Sequence, residues 1–336
     1  MVSTCKVLLL GSHINYNLEH YVKIALEKLG NSVTFFGYRE FIPSPIRMAI
    51  TRSSVVRNLA KLPLLNKIDK RLRDIALKTA PDLVLSIKGE AILPSTVRWF
   101  GEQLGCATAL WYPDDPRWFN SLVKHIAPYY DYVFTASEKA VEHYKRIGVK
   151  NVYHLPFACE PSVHRRVQLT EKEVEKYKCD ICFVGGCRLR RAWIISKLRK
   201  FNLKVYGPYW ALPSMLGIKA SAGVWGPEMV KVYNAAKIVL NIHVKSDLDY
   251  KPNMRTFEAT GSGSFLLTDR AYGLEKLFEI GREVVCYSNV KELINLIEYY
   301  LDDNDERTKI STKGQNRAYK EHTYEKRIKR ILELVS

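Results

Sequence analysis

No stretch of the 336-residue chain approaches the roughly 18 to 20 consecutive apolar residues that a membrane-spanning helix needs. The apolar run Val7 to Leu10 stops at Gly11, too short for a secretory leader, so the expected compartment is the cytoplasm. Acids are in short supply. The 35 Asp+Glu stand against 52 Lys+Arg, a formal charge of +17, which favours anionic partners such as phosphates, acidic lipid or nucleic acid without choosing among them. Seven cysteines, an odd number in a long chain, argue against a disulfide framework and read as reduced, mostly buried thiols. Low-complexity tracts, short repeats and the GxGxxG dinucleotide fingerprint are missing too. What is present, 47% apolar and 26% charged residues, suffices for two soluble domains that each bury a core.

Strand-like and helix-like segments alternate, the pattern of an α/β chain with mostly parallel sheets covered by helices on both faces. Strands are expected at Lys6 to Leu10, Ser32 to Phe36, Asp82 to Ile87, Thr108 to Tyr112, Tyr132 to Thr135 and Val152 to Leu155, with helices at Glu19 to Leu29, Ser95 to Leu104 and Ser137 to Ile147. A second alternation has strands at Asp180 to Val184, Leu203 to Tyr206, Ile238 to Ile242, Ser264 to Thr268 and Val284 to Tyr287. Proline and polar residues from Pro156 to Arg166 mark the boundary. The chain ends in helical spacing from Val290 to Leu301, from Asp305 to Glu321, and from Tyr324 onward.

Several strand ends carry residues that suit chemistry. Gly11 to Asn17 forms a polar loop after the first strand, including His13, where open parallel sheets place their ligands; a plain connection fits as well. Asp114 and Asp115, framed by Pro113 and Pro116, follow another strand; a turn and helix cap account for one acid and leave the other for general-base work. Gly185 and Gly186 end a strand and precede Arg188, Arg190 and Arg191 at a helix start, where free amides and guanidinium groups favour phosphate; a solvated basic surface is the bland alternative. Asn241 and His243 close a further strand, and Asn253, Arg255 and Glu258 fall on the helix after it, where a carboxylate can accept two ribose hydroxyls. Cys179, Cys182 and Cys187 lack the second CxxC or paired histidines of a zinc site, so no metal is expected. Asp247-Leu248-Asp249 spells DxD but reads as a loop.

Together, Asn253 through Gly263, Phe265 to Asp269, Gly273-Leu274 and Glu321 to Arg327 resemble the glycosyltransferase group 1 domain of CgeB-like proteins. The likeness continues through Pro81-Asp82-Leu83, Lys88-Gly89, Trp111 with Asp114-Asp115-Pro116, Asp131-Tyr132, Phe183-Val184-Gly185, Tyr206-Gly207 and Leu240 to His243, and is weakest from Phe41 to Ala80. The resemblance implies the GT-B fold: two Rossmann-like domains facing a cleft, residues 1–158 for the acceptor and 159–322 for a nucleotide sugar, with a helix over 323–336 crossing back to the first domain. It implies a UDP- or GDP-type sugar as donor, a glycan, lipid-linked or protein acceptor, and no required cofactor or metal. In the related family 4 enzymes two glutamates eight positions apart touch the donor; Glu258 matches the second, and Tyr250 stands where the first would be. Gly185, Gly186, Arg188, Arg191, Tyr206, Gly207, Asn241, His243, Asn253, Arg255 and Glu258 are the expected donor residues, with Asp115, Asp114 and His13 as candidate bases.

Two other readings compete. Transfer to nucleic acid is suggested by the charge but lacks an aromatic-interleaved basic motif. A silent binding or coat-assembly protein is suggested by Tyr250. The segment Pro45 to Ala80, with nine Lys or Arg against Asp69 and Asp74, interleaves them with Ile50, Val55, Val56, Leu59, Leu62, Leu64, Leu65, Ile68, Leu72 and Ile75. It suits either an anionic membrane surface on the inner face of the membrane or a helix packed in the first domain with a solvated basic side.

Overall fold

The computed structural model describes residues 4–53, 63–211, 217–244 and 251–336. It divides into two compact units, one running to Pro156 and including Tyr324–Ser336, the other lying between Phe157 and Thr323. The first holds six parallel strands, β1 (Lys6–Gly11), β2 (Ser32–Gly37), β3 (Leu83–Ile87), β4 (Ala107–Tyr112), β5 (Tyr132–Thr135) and β6 (Val152–His154), in the order β2-β1-β3-β4-β5-β6. The second holds β7 (Cys179–Val184), β8 (Leu203–Tyr206), β9 (Ala220–Ser221), β10 (Ala236–Asn241), β11 (Leu266–Asp269) and β12 (Val285–Tyr287), in the order β12-β11-β10-β7-β8-β9, also parallel.

Strands covered on both faces must be apolar on both. All five residues of β3 and the last four of β7 are buried. Strand order reverses between β1 and β3 in one sheet and between β7 and β10 in the other. Neighbouring connections there leave on opposite faces, which opens a crevice at the carboxyl ends.

In the first unit, Asn17 caps the helix Leu18–Lys28 by accepting from His20 N at 3.0 Å, and Tyr21, Val22, Ala25 and Leu26 face inward. The helix Tyr324–Val335 lies against it: Tyr324 stacks on Tyr21 at 5.3 Å, and Arg327 Nε donates to Pro156 O at 2.9 Å. Within the basic segment, the helices Ser44–Arg52 and Pro63–Thr79 place Ile50, Leu65, Ile68 and Leu72 in the core, while Leu64 and Ile75 pack half-buried against it. Arg52, Lys67, Lys70, Arg71 and Lys78 are exposed. Val55, Val56, Arg57, Leu59, Lys61 and Leu62 lie outside the described residues. Ile50, Leu65, Ile68 and Leu72 are thus spent on the core, while Ile46, Met48 and Leu77 are exposed among the bases. All seven cysteines are free thiols.

Candidate donor site at the second sheet

At the end of β7 the chain turns through Gly185 and Gly186. Gly185 N donates to Tyr206 O at 2.8 Å, and Trp210 Nε1 donates to Gly185 O at 2.9 Å. Beside them Gly207 adopts φ 149°, and a Cβ there would sit 2.2 Å from Gly185 O, so only glycine permits this approach of two backbones. Tyr206 is buried under the same turn. Tyr209, 77% exposed, lies against Gly186 and presents a free aromatic face that the sequence alone did not single out.

The helix Leu189–Ser196 begins at Arg188, whose backbone is extended and whose side chain donates to Cys187 O. Arg190 reaches across to Asp269 Oδ2 at 2.7 Å. Arg191 is the most constrained of the three: Nε donates to Ile242 O and Nη1 to Gly186 O, each at 2.9 Å, which bridges the ends of β7 and β10. Its Nη2 is buried and has no hydrogen-bond partner among the described residues. Burial, reinforced by Arg255 and Arg188, pulls the guanidinium down to about 9, with Asp269 opposing. A guanidinium so destabilised wants an anion.

At the end of β10, Asn241 is the centre of a buried polar network. Its Nδ2 lies 3.3 Å from each of Asn253 Oδ1, Thr256 Oγ1 and Thr268 Oγ1, and its Oδ1 accepts from Asn253 Nδ2 and Arg255 Nε. Two residues on, His243 Nδ1 lies 2.6 Å from Asp269 Oδ1, which also accepts from His243 N at 3.0 Å. Burial lowers the imidazole, with Asp269 pulling the other way. A neutral ring whose Nδ1–H donates to Asp269 has Nε2 as its acceptor, 3.5 Å from Asn241 Nδ2. Asp269 therefore orients both Arg190 and His243. It ends β11 as the only acid in a buried strand, and that was the signal available for it in the sequence.

Asn253 caps the helix Met254–Gly261, which carries Arg255 and Glu258. Glu258 is 5% exposed and makes no side-chain hydrogen bond among the described residues; burial raises its carboxyl to about 7 against the pull of Arg255. Tyr250 and the Asp247-Leu248-Asp249 run lie outside the described residues. Among those described, no group of three or more His, Cys, Asp or Glu is arranged to hold a metal ion.

Residues 190–333 match the Glyco_trans_1_2 family, described as glycosyl transferase-like. The chain carries a glycosyl transferase-like domain. Spore protein CgeB of Bacillus subtilis (strain 168) is 21% identical over 267 residues, 73% of this chain and 80% of that protein. Among solved structures, sucrose-phosphate synthase from Thermosynechococcus elongatus is similar with a TM-score of 0.69 at 14% identity, and Anabaena HepE in complex with UDP-glucose with a TM-score of 0.69 at 12% identity; both cover 98% of each chain. The chain is similar to CgeB in sequence and has the GT-B fold, and its residues 190–333 are glycosyl transferase-like. The matched region includes Arg190, Arg191, Tyr206, Gly207, Asn241, His243, Asn253, Arg255, Glu258 and Asp269, and begins just after Gly185, Gly186 and Arg188.

The candidate bases stand in the first unit. Asp115 is 2% exposed, and its Oδ2 accepts from Thr135 Oγ1 at 2.6 Å and from Tyr144 OH at 2.8 Å. Asp114, at the same strand end, is 44% exposed and pairs with Lys88 at 2.6 Å. His13 is exposed, with its ring edge-on to Phe35. Of the two acids, Asp114 is the one solvent reaches.

Proposed function

We propose that this glycosyltransferase moves a hexosyl group, without a metal ion, from a UDP- or GDP-type donor held at the ends of β7 and β10 to a glycan, lipid-linked or protein acceptor held by the first unit. The observation that carries the reading is Arg191: a buried guanidinium that ties β7 to β10, is surrounded by further arginines, and keeps one nitrogen free where strand order reverses. In this reading Arg188, Arg191 and Arg255 hold the diphosphate and stabilise the charge that grows on it as the sugar leaves. Gly185, Gly186 and Gly207 let it approach the backbone, the Tyr206 turn shapes that approach, and Tyr209 stacks on the base. Asn241 and Asn253 hold Arg255 in place, and the His243–Asp269 pair fixes the end of β10 beside them. The UDP-glucose in the HepE complex supports a UDP donor. Thermal stabilisation and donor hydrolysis measured over UDP-, GDP-, ADP- and dTDP-sugars test the assignment; a panel in which no nucleotide sugar stabilises the protein refutes it.

Glu258 gives this reading a pH signature. Its folded value near 7 lies above the ordinary 4.5, so its contribution to stability is full below about 4.5 and is lost as pH rises through about 7. Ribose hydroxyls donate to the ionised carboxylate, so donor binding expels the proton. Affinity for UDP-glucose, whose diphosphate stays ionised throughout, should rise about tenfold from about pH 6 to about pH 8, and Glu258→Gln should flatten that rise. Calorimetric titration at several pH values reads this directly. An equal slope in the variant would assign the pH dependence elsewhere.

The reading places the enzyme in the cytoplasm, peripheral on an anionic membrane face. Support comes from the exposed bases of Pro63–Thr79, each contributing up to about 1 kcal/mol near acidic lipid. Co-sedimentation with anionic vesicles should fall with salt and on changing Lys67, Lys70 and Lys78 to Gln. Binding indifferent to lipid charge would remove this placement.

A further inference from the structure

The first sheet also reverses its strand order, and at that point a protein of net charge +17 gathers acids. Glu19, in the first turn of Leu18–Lys28, is 2% exposed. Its side chain lies over the end of β1: a Cβ on Gly11 would sit 2.4 Å from Glu19 Cγ, so a glycine closes the strand. Lys88, Arg39 and Glu90, from the ends of β3 and β2, all act on its carboxyl electrostatically.

Most neighbouring charges are paired, although Arg39 Nε is buried with no hydrogen-bond partner among the described residues. Arg39 pairs with Glu90, and Glu90 Oε2 accepts from Tyr38 OH at 2.8 Å. Lys88 pairs with Asp114, and Glu40 Oε1 accepts from His13 N at 2.7 Å. Lys88 and Gly89 hold φ values of 67° and 66°, and a side chain at Lys88 tolerates that conformation only under constraint. Glu19 Oε1 is the acceptor of the cluster left over: it is buried with no hydrogen-bond partner among the described residues. An acceptor oxygen left bare in a built polar cluster costs stability unless a ligand completes it.

We propose that the crevice at the carboxyl ends of β1 and β3 binds the acceptor substrate through a neutral sugar hydroxyl donated to Glu19, and that it rejects phosphate-bearing groups. This deepens the functional reading above, resting on its assignment of the acceptor to the first unit. Beside Glu19, three further acids, Glu40, Glu90 and Asp114, stand against two bases, Arg39 and Lys88, so the spot disfavours a phosphate although the protein as a whole attracts one. Burial raises the Glu19 carboxyl, against the pull of Lys88 and Arg39, which disfavours a bare anion there and suits a hydroxyl that donates to it. The acceptor atom is then part of a saccharide, and nucleic acid is disfavoured.

The test uses the full chain and two matched probe sets, methyl hexosides and the same hexosides carrying a 6-phosphate, with binding read by saturation-transfer NMR and UDP binding measured separately. At least one neutral hexoside should bind, its phosphate should bind about tenfold more weakly or worse, and Glu19→Ala should cost the neutral probe about tenfold. Glu19→Gln keeps the volume and a polar group, so it should fold like the native chain while still weakening the hexoside. UDP affinity should be unchanged in both variants. Tighter binding of the phosphates, hexoside binding unmoved by both substitutions, or no hexoside binding at all overturns the proposal. Loss of UDP binding in the unaltered protein would instead count against the donor assignment.

Discussion

Replacing Arg191 with alanine should weaken UDP-glucose binding by roughly 30- to 1,000-fold, the loss expected when a buried charge-assisted contact to a diphosphate is removed at about 2 to 4 kcal/mol. The side chain meets two carbonyls, Ile242 O and Gly186 O, so alanine also loosens the join between β7 and β10. Arg191→Lys separates the effects. It keeps a cation, cannot serve both carbonyls and a phosphate from one planar fork, and should fall between alanine and the native residue. Calorimetry on all three proteins, with melting temperatures measured alongside, decides. Affinities within about threefold of native in both variants would move the diphosphate away from this guanidinium.

The adjacent acids should behave as opposites. Asp114→Asn should reduce turnover by about a hundredfold or more if that carboxylate takes the acceptor proton. It should leave stability nearly untouched, because a half-exposed ion pair with Lys88 contributes little. Asp115→Asn should instead cost about 1 to 3 kcal/mol of stability, since one buried oxygen collects hydroxyls from Thr135 and Tyr144. Transfer assays and denaturant titrations on both variants give the answer. Native turnover in Asp114→Asn would end its candidacy, and a turnover loss in Asp115→Asn at native stability would hand the role to Asp115.

Much of this architecture was legible because a parallel strand is buried on both faces and so writes a short apolar run, as in Leu83–Ile87 and Cys179–Val184. The residues just after such runs, Gly185, Gly186, Asn241 and His243, stand out as polar or glycine against an apolar background. Elements without that contrast were harder to see. Ala220–Ser221 is two exposed residues long. Glu171–Tyr177 is a largely solvated helix whose one clear mark is the capping box between Thr170 and Glu173. Gly226–Ala235 starts on a Gly-Pro pair that reads as a turn, although Met229, Val230, Val232 and Tyr233 then face inward.

Charged side chains were the least legible part of the sites. A glutamate in the first turn of a helix ordinarily faces water and favours the helix dipole. Nothing in the letters around Glu19 says that it is buried against Gly11. For Asp114 and Asp115 the sequence places two acids at one strand end and cannot say which one turns inward under Tyr144. The pairing of Asp269 with both Arg190 and His243 joins residues 79 and 26 positions apart, a distance over which spacing carries no information.

The helix Tyr324–Val335 follows the second unit in the chain and completes the first, with Tyr324 fully buried against Tyr21. During synthesis the two units therefore cannot finish in the order in which they are encoded. Everything up to Pro156 emerges first yet lacks the helix that covers Leu18–Lys28, while the stretch from Phe157 to Thr323 is complete as soon as it clears the ribosome. The earlier-made unit waits, with an apolar helix face open, for the time it takes to translate the later one. That interval is when a nascent chain of this kind depends most on chaperone cover.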